Sequence, residues 1–177
     1  LNKLFSYTQL QDTVGVIMLA LVNGIPKVLT LKEMLEQYID FQVDVITRRT
    51  KFDLNKAKER EHILKGLVIA LDNIDEVIEI MKTSKNIPEA KQRLNQRFGL
   101  TDIQADHIAN MTLGRLTGME RQKIIDELAE IEVKIADLED ILANHQRILD
   151  IIIEEVEAIQ DKFGDERRTQ IENVSGE

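Results

Sequence analysis

Met119 to Phe163 constrains this chain more than any other stretch, because it contains neither glycine nor proline and its apolar positions step 4, 3, 4, 3 without a slip. The series runs Ile124, Leu128, Ile131, Ile135, Leu138, Leu142, His145, Leu149, Ile152, Val156, Ile159 and Phe163, and His145 is its one polar member. A seam that recurs every ~3.5 residues keeps one helical stripe facing a neighbour over many turns. The stretch therefore reads as one helix of a coiled coil, and it needs a partner.

A partner pattern lies earlier in the chain. Thr30-Leu31-Lys32-Glu33 has the form of a capping box, and between residues 31 and 83 only Gly66 breaks the helical pattern. A second 4-3 series runs Ile39, Val43, Ile46, Thr50, Asp53, Ala57, Arg60, Leu64, Leu67, Leu71, Ile74, Ile78 and Met81. Its polar members, Thr50, Asp53 and Arg60, predict a weaker seam in the middle. The two runs would extend about 75 and 70 Å at about 1.5 Å per residue.

The segment between them reads as short helices. Asn86-Ile87-Pro88-Glu89 predicts a start with proline in the first turn, where its missing N–H costs nothing, and Gly99 a stop. Thr101-Asp102-Ile103-Gln104 opens a further helix, predicted to end near Leu113-Gly114, and Thr117-Gly118-Met119-Glu120 is a capping-box pattern that launches the long return. Gly164 reads as its C′ residue, with a polar, loose tail from Asp165.

Residues 1 to 29 read as strand material. Val14 to Val22 is almost continuously apolar, Asn23-Gly24 suits the two positive-φ positions of a type I′ turn, and Ile25 to Leu29 returns. Pro26 pushes the returning strand toward an edge. Two strands alone are marginal in water, so their neighbours are expected upstream, and the opening at Leu1 suggests a piece of a longer chain.

The predicted fold class is mainly α: a long antiparallel two-helix coiled coil with a small helical dimerisation tip, preceded by a β-hairpin from a truncated upstream domain. The expected divisions are 1–30 (hairpin), 31–83 (outgoing helix), 84–117 (tip), 118–163 (returning helix) and 164–177 (tail).

The absence of Cys excludes disulfides and thiolate chemistry, and no apolar run is long enough to span a bilayer. A soluble, cytoplasmic protein is expected. The net charge of −9 argues against a large nucleic-acid footprint. His62, His107 and His145 fall on different predicted helices without ligand spacing, and the pairs Asp72/Asp75 and Asp137/Asp140 read as solvated faces rather than as acid/base pairs. The basic run Arg48, Arg49, Lys51, Lys56, Lys58 and Arg60 is the feature that points toward DNA, but Asp53, Glu59 and Glu61 interleave it, so a solvated helix face stands beside that reading. In the tip, Ile103, Ile108, Met111, Leu113 and Leu116 are too many apolar residues for so small a unit to bury. About half should pack inside, and the rest would form a self-complementary patch suited to a homodimer.

Several runs closely resemble the A subunit of the bacterial DNA gyrase and topoisomerase IV family. They are Leu4-Phe5-Ser6-Tyr7-Thr8-Gln9-Leu10-Gln11, Met18 to Gly24, Pro26 to Glu33, Arg48-Arg49-Thr50, His62 to Leu67, Leu113 to Glu120 and Leu138-Glu139-Asp140-Ile141-Leu142. The resemblance covers essentially the whole chain and implies the coiled-coil and exit-gate part of that protein, whose arms end in globules that dimerise. It implies passage of one duplex through a transient break in another, powered by ATP. The family's nucleophilic tyrosine lies upstream, after an arginine and before a threonine. Tyr7 precedes Thr8, but Ser6 stands where the arginine should be, so no catalytic residue is carried onto this chain. ATP and magnesium sites would belong to other domains, leaving no cofactor here. The implied partners are a second copy through the tip, the gyrase B subunit, and DNA, whose direct contact with this stretch would be weak: Arg48, Arg49, Lys51 and Lys56 are the candidate face. The alternative is a structural or adaptor spacer with a protein-binding tip.

Overall fold

A computed structural model describes residues 1–172. The chain divides into two compact units, Leu1–Val45 and Ile46–Glu177. In the first, Asn2–Tyr7 is a short helix, α1, where strand was predicted. None of its residues is β-branched, which removes the main side-chain penalty against a helical turn. Strands β1 (Leu19–Val22) and β2 (Ile25–Val28) form the predicted hairpin, in register Leu19↔Val28 through Val22↔Ile25. Asn23 at φ 52° and Gly24 at φ 78° both take the left-handed conformation that the type I′ turn demands. Residues 14–17 stay outside the ladder, which extends only as far as the Leu29 N–H donating to the Met18 carbonyl at 2.9 Å.

Helix α2 (Leu31–Asp72) starts on the predicted box: Glu33 Oε2 accepts from the Thr30 N–H at 2.7 Å, and Thr30 Oγ1 from the Glu33 N–H at 3.3 Å. It continues from the first unit into the second, which also holds α3 (Ile74–Thr83), α4 (Ile87–Phe98), α5 (Asp102–Ala109), α6 (Leu113–Thr117), α7 (Arg121–Ala143) and α8 (His145–Phe163).

In that second unit α2 runs antiparallel to α7 and α8, as its cross-helix ion pairs show. Arg49 meets Glu155 at 2.7 Å, Lys58 meets Glu139 at 2.7 Å, Arg60 meets Glu127 at 2.8 Å, and Asp72 meets Arg121, so position falls on one side as it rises on the other. Between them Leu54 and Ala57 pack with Ile135, flanked by Ile131, Leu138 and Leu142. The buried stripe of α2 includes Ile46, Thr50, Leu54, Ala57, Leu64 and Leu67. It departs from the sequence register at two polar members. Leu54 replaces Asp53, and Arg60 stays at the rim, where its guanidinium makes two bonds to Glu127, at 2.8 and 3.1 Å.

Both predicted long helices are divided at an asparagine. Asn73 (φ −127°, ψ 38°) separates α2 from α3, its side-chain amide donating to the Ile69 carbonyl at 2.9 Å. Asn144 (φ −121°, ψ 102°) separates α7 from α8, and its Oδ1 accepts from the Gln146 N–H at 3.1 Å. An asparagine amide competes with the backbone for such bonds and so favours a cap over a helix interior. His145, predicted on the seam, therefore opens a new helix and is exposed, while Ile148 and Ile152 are buried.

The local start signals hold at Asn86, which accepts from the Glu89 N–H at 2.9 Å, and at Thr101, which forms a reciprocal box with Gln104. Gly99 closes α4 at φ 64°. The residues after α5 behave differently from the prediction. Thr112 accepts from the Arg115 N–H at 3.2 Å and starts α6 where a stop was expected. Thr117 bonds back to the Leu113 carbonyl at 2.9 Å, so it belongs to the end of α6, and α7 begins at Arg121 without a side-chain cap. Gly164 is extended (φ −64°, ψ 134°) rather than left-handed. Residues 165–172 carry no helix or strand, and the remainder of the predicted tail lies outside the described residues.

Gly66 marks a close approach of α2 and α5. A Cβ there would stand 2.8 Å from Gln104 Cγ and 2.9 Å from its Cβ. Gln104 cannot easily yield, because its Nε2 donates to the His62 carbonyl at 2.7 Å and its Oε1 accepts from the Thr101 N–H at 3.1 Å. In an open helix Gly→Ala gains about 1 kcal/mol. Here overpacking, worth about 1–3 kcal/mol, opposes that gain. Urea denaturation should show Gly66→Ala to be no more stable than the parent; the full helix gain would contradict the packing.

The cross-helix ion pairs also predict a pH response. Hydrogen bonding to Arg60 holds the Glu127 carboxyl below its usual range, and hydrogen bonding to Arg121 does the same for Asp72. Carboxyls depressed by folding contribute stability that is present above their unfolded values, about 4, and lost as pH falls through the folded ones. Thermal midpoints should therefore drop on acidification below about pH 4.5, and less steeply in Arg60→Met.

Candidate dimerisation tip and basic face

The tip is built by α3 to α6 closing on the end of α2 and the start of α7. Leu64, Leu67 and Ala70 of α2 share one buried cluster with Val77, Ile80, Leu94, Leu100, Ala105, Ile108, Met111 and Leu116, and Ile124, Leu128 and Ile131 of α7 cover it. The end of α3 is tied to α4 by Arg93, whose Nη1 donates to Thr83 Oγ1 at 2.7 Å and to Ser84 Oγ at 3.1 Å. A cation there also complements the negative end of the helix dipole.

This core divides the five apolar residues singled out in the tip. Ile108 at 1%, Met111 at 8% and Leu116 at 0% exposure belong to the interior. Leu113 is half-buried, and Ile103 stands 63% exposed on α5. Ile103 is flanked by two recesses that share Ile63. One is walled by Lys91, Asp102, Asp106 and His107, the other by Asn55, Lys58, Glu59 and His62. The His62 ring is held by Thr101 Oγ1, 2.6 Å from Nε2. Burial pushes His107 below its ordinary range, Arg60 and Arg115 add to that, and Asp106 opposes it. The neutral imidazole is thus favoured beside the Ile103 knob.

The candidate basic face is largely neutralised by the protein itself. Arg49 is paired with Glu155, and Lys56 with Glu59 at 3.1 Å, with its ammonium also 5.8 Å from the centre of the Phe52 ring. Arg48 has an interaction partner as well. Lys51 is exposed and forms no ion pair among the described residues. Lys58 and Arg60, from the same run, reach Glu139 and Glu127. The acids that balance this face lie mostly on α7 and α8, far away in sequence, and only the antiparallel pairing brings them near. Among the described residues no group of three or more His, Cys, Asp or Glu could hold a metal ion, and no helix is long and apolar enough to cross a membrane.

Residues 1–157 match the family model for the A subunit of DNA gyrase/topoisomerase IV. The chain is 52% identical over 177 residues to the DNA gyrase A subunit of Clostridium acetobutylicum, covering 100% of this chain and 21% of that protein. Over the same 177 residues it is 49% identical to the DNA gyrase A subunit of Mycolicibacterium smegmatis, again 100% and 21%. Against that of Fibrobacter succinogenes it is 50% identical over 171 residues, 97% of this chain and 19% of the relative. The chain thus spans about a fifth of the length of the curated relatives it matches. A match running through both the hairpin unit and the helical unit, at about half identity, means that the chain belongs to the family of DNA gyrase and topoisomerase IV A subunits.

Proposed function

We propose that this chain is the dimerisation and exit-gate portion of a gyrase-type A subunit, acting within a type IIA topoisomerase that passes one DNA duplex through another in an ATP-dependent cycle. In this reading the outgoing helix (31–83) and the returning helix (118–163) form the coiled-coil arm of a gate, the tip (84–117) joins it to a second copy, and 1–30 ends the domain before it. The stretch itself is non-catalytic. Cleavage, ATP and magnesium chemistry belong to other parts of the enzyme and to its B subunit, and the assembled enzyme works on DNA in the cytoplasm.

The observation that carries the reading is the tip's surface. A closed apolar core leaves Ile103 projecting between two recesses. A knob beside a hole is what a two-fold contact needs, because each copy then supplies both halves of the fit. Direct DNA contact by the arm is expected to be weak, since Arg49 and Lys56 are already paired within the chain.

The test is the oligomeric state. Sedimentation of the 177-residue chain should show a dimer, and Ile103→Glu or Leu113→Glu should convert it to a folded monomer with unchanged helix content. Met111→Glu should instead unfold the tip, because Met111 lies in its core. A clean monomer of the parent chain at high micromolar concentration, or a dimer indifferent to Ile103→Glu, would contradict the proposal and favour a spacer.

A further inference from the structure

The outward face of α5 carries more than the Ile103 knob. Gln104, Ala105 and Ile108 turn into the core, while Ile103, Asp106 and Asn110 are exposed and His107 is half-buried beside them. Ile103 and His107 are four residues apart, and residues at that spacing are neighbours on one helix face, with their Cβ atoms about 5–6 Å apart. The two also wall the same recess, together with Ile63, Lys91, Asp102 and Asp106. An interface of ordinary size covers about 800 Å² on each partner, so a second copy that covers Ile103 covers His107 as well.

The surroundings of this imidazole are poorly suited to a further positive charge. Arg60 faces it from α2, held by Glu127 of α7, and Arg115 faces it from α6. Lys91 of α4 lies in the same recess, 3.8 Å from Asp106, and Asp102 is engaged by the Asn95 amide at 2.8 Å. The His107 ring itself has no hydrogen-bond partner among the described residues. Desolvation first, then Arg60 and Arg115, already hold it below the ordinary histidine range, with Asp106 opposing. Covering the ring takes more water from it and disfavours the charged form further. His62 is placed differently, since it stands on α2 in the neighbouring recess with its Nε2 engaged by Thr101 Oγ1.

We propose that His107 makes the tip contact acid-sensitive: two copies meet over Ile103 while the ring is neutral and part when it is protonated. This inference rests on the reading that the tip joins two copies, and it names the group that regulates the joint. The sign follows from linkage. A ring that is harder to protonate in the dimer than in the separate chain gives up its proton on association, so the contact is at full strength above the separate chain's value and weakens as pH falls through it. Each dimer holds two such rings, which makes the response steeper than one proton alone would give.

Sedimentation equilibrium of the 177-residue chain at about pH 7.5 and about pH 5 tests this, both conditions lying above the acid range in which the arm's own carboxylates titrate. The parent's dissociation constant should rise about fivefold or more at the lower pH, with helix content unchanged. His107→Gln has no charge to gain and, whatever its affinity, should give the same constant at both. His107→Lys carries the charge throughout and should associate weakly at both. His62→Gln should keep the parent's pH dependence. A dimer whose constant is unchanged at the lower pH, one that tightens there, or a pH dependence that survives in His107→Gln would overturn the role of His107 and leave the tip contact standing. A parent chain monomeric at both values would overturn the two together.

Discussion

Antiparallel packing of α2 against α7 and α8 is the constraint on which the helical unit depends. Aliphatic side chains supply the contact at Leu54, Ala57 and Ile135, and the ion pairs from Arg49, Lys58, Arg60 and Asp72 line its edges. Exposed pairs of this kind contribute little stability each, with a median of about 0–1 kcal/mol. Their role is better described as register, because each pair forms only where its two positions fall opposite one another. The polar middle of α2, weak as a seam, is where this charge matching is densest.

The pairing delivers the end of α2 and the start of α7 to one place, and the tip is the chain between them folded onto that platform. Its core is continuous with the arm, since Leu64, Leu67 and Ala70 belong to α2 while Ile124, Leu128 and Ile131 belong to α7. The close approach at Gly66 and the doubly held Gln104 of α5 fix where the tip sits on the platform. A tip anchored this way presents Ile103 rigidly, and a rigid apolar projection loses little conformational entropy when a partner covers it. That connects the local geometry of one glycine to the proposed two-fold contact.

What could be read from the sequence was what a few neighbouring residues decide. The Thr30/Glu33 box, the Asn86 and Thr101 caps, the left-handed Gly99 and the Asn23-Gly24 turn all depend on partners within about four positions, and all form as expected. The helix breaks at Asn73 and Asn144 were not legible, because asparagine costs only a few tenths of a kcal/mol in a helix and a seam that continues beyond it hides the interruption. The division of the tip's apolar residues was legible as a proportion but not by name. Ile103 and Ile108 are chemically identical, and only the packing of α5 on α2 decides that one faces outward. The pairing of the basic run was not legible for a similar reason, since the carboxylates that meet Arg49, Lys58 and Arg60 come from α7 and α8.

The central claim is that copies of this chain meet through the tip and not along the arm. Hydrogen exchange measured over a dilution series tests it most directly, because it locates concentration-dependent protection without altering any residue. The account predicts that amide protection in α5 and its flanking turns, residues 101–117, rises with concentration while α7 and α8 exchange at constant rates. Protection that grew along α7 and α8, or none that varied with concentration, would contradict it.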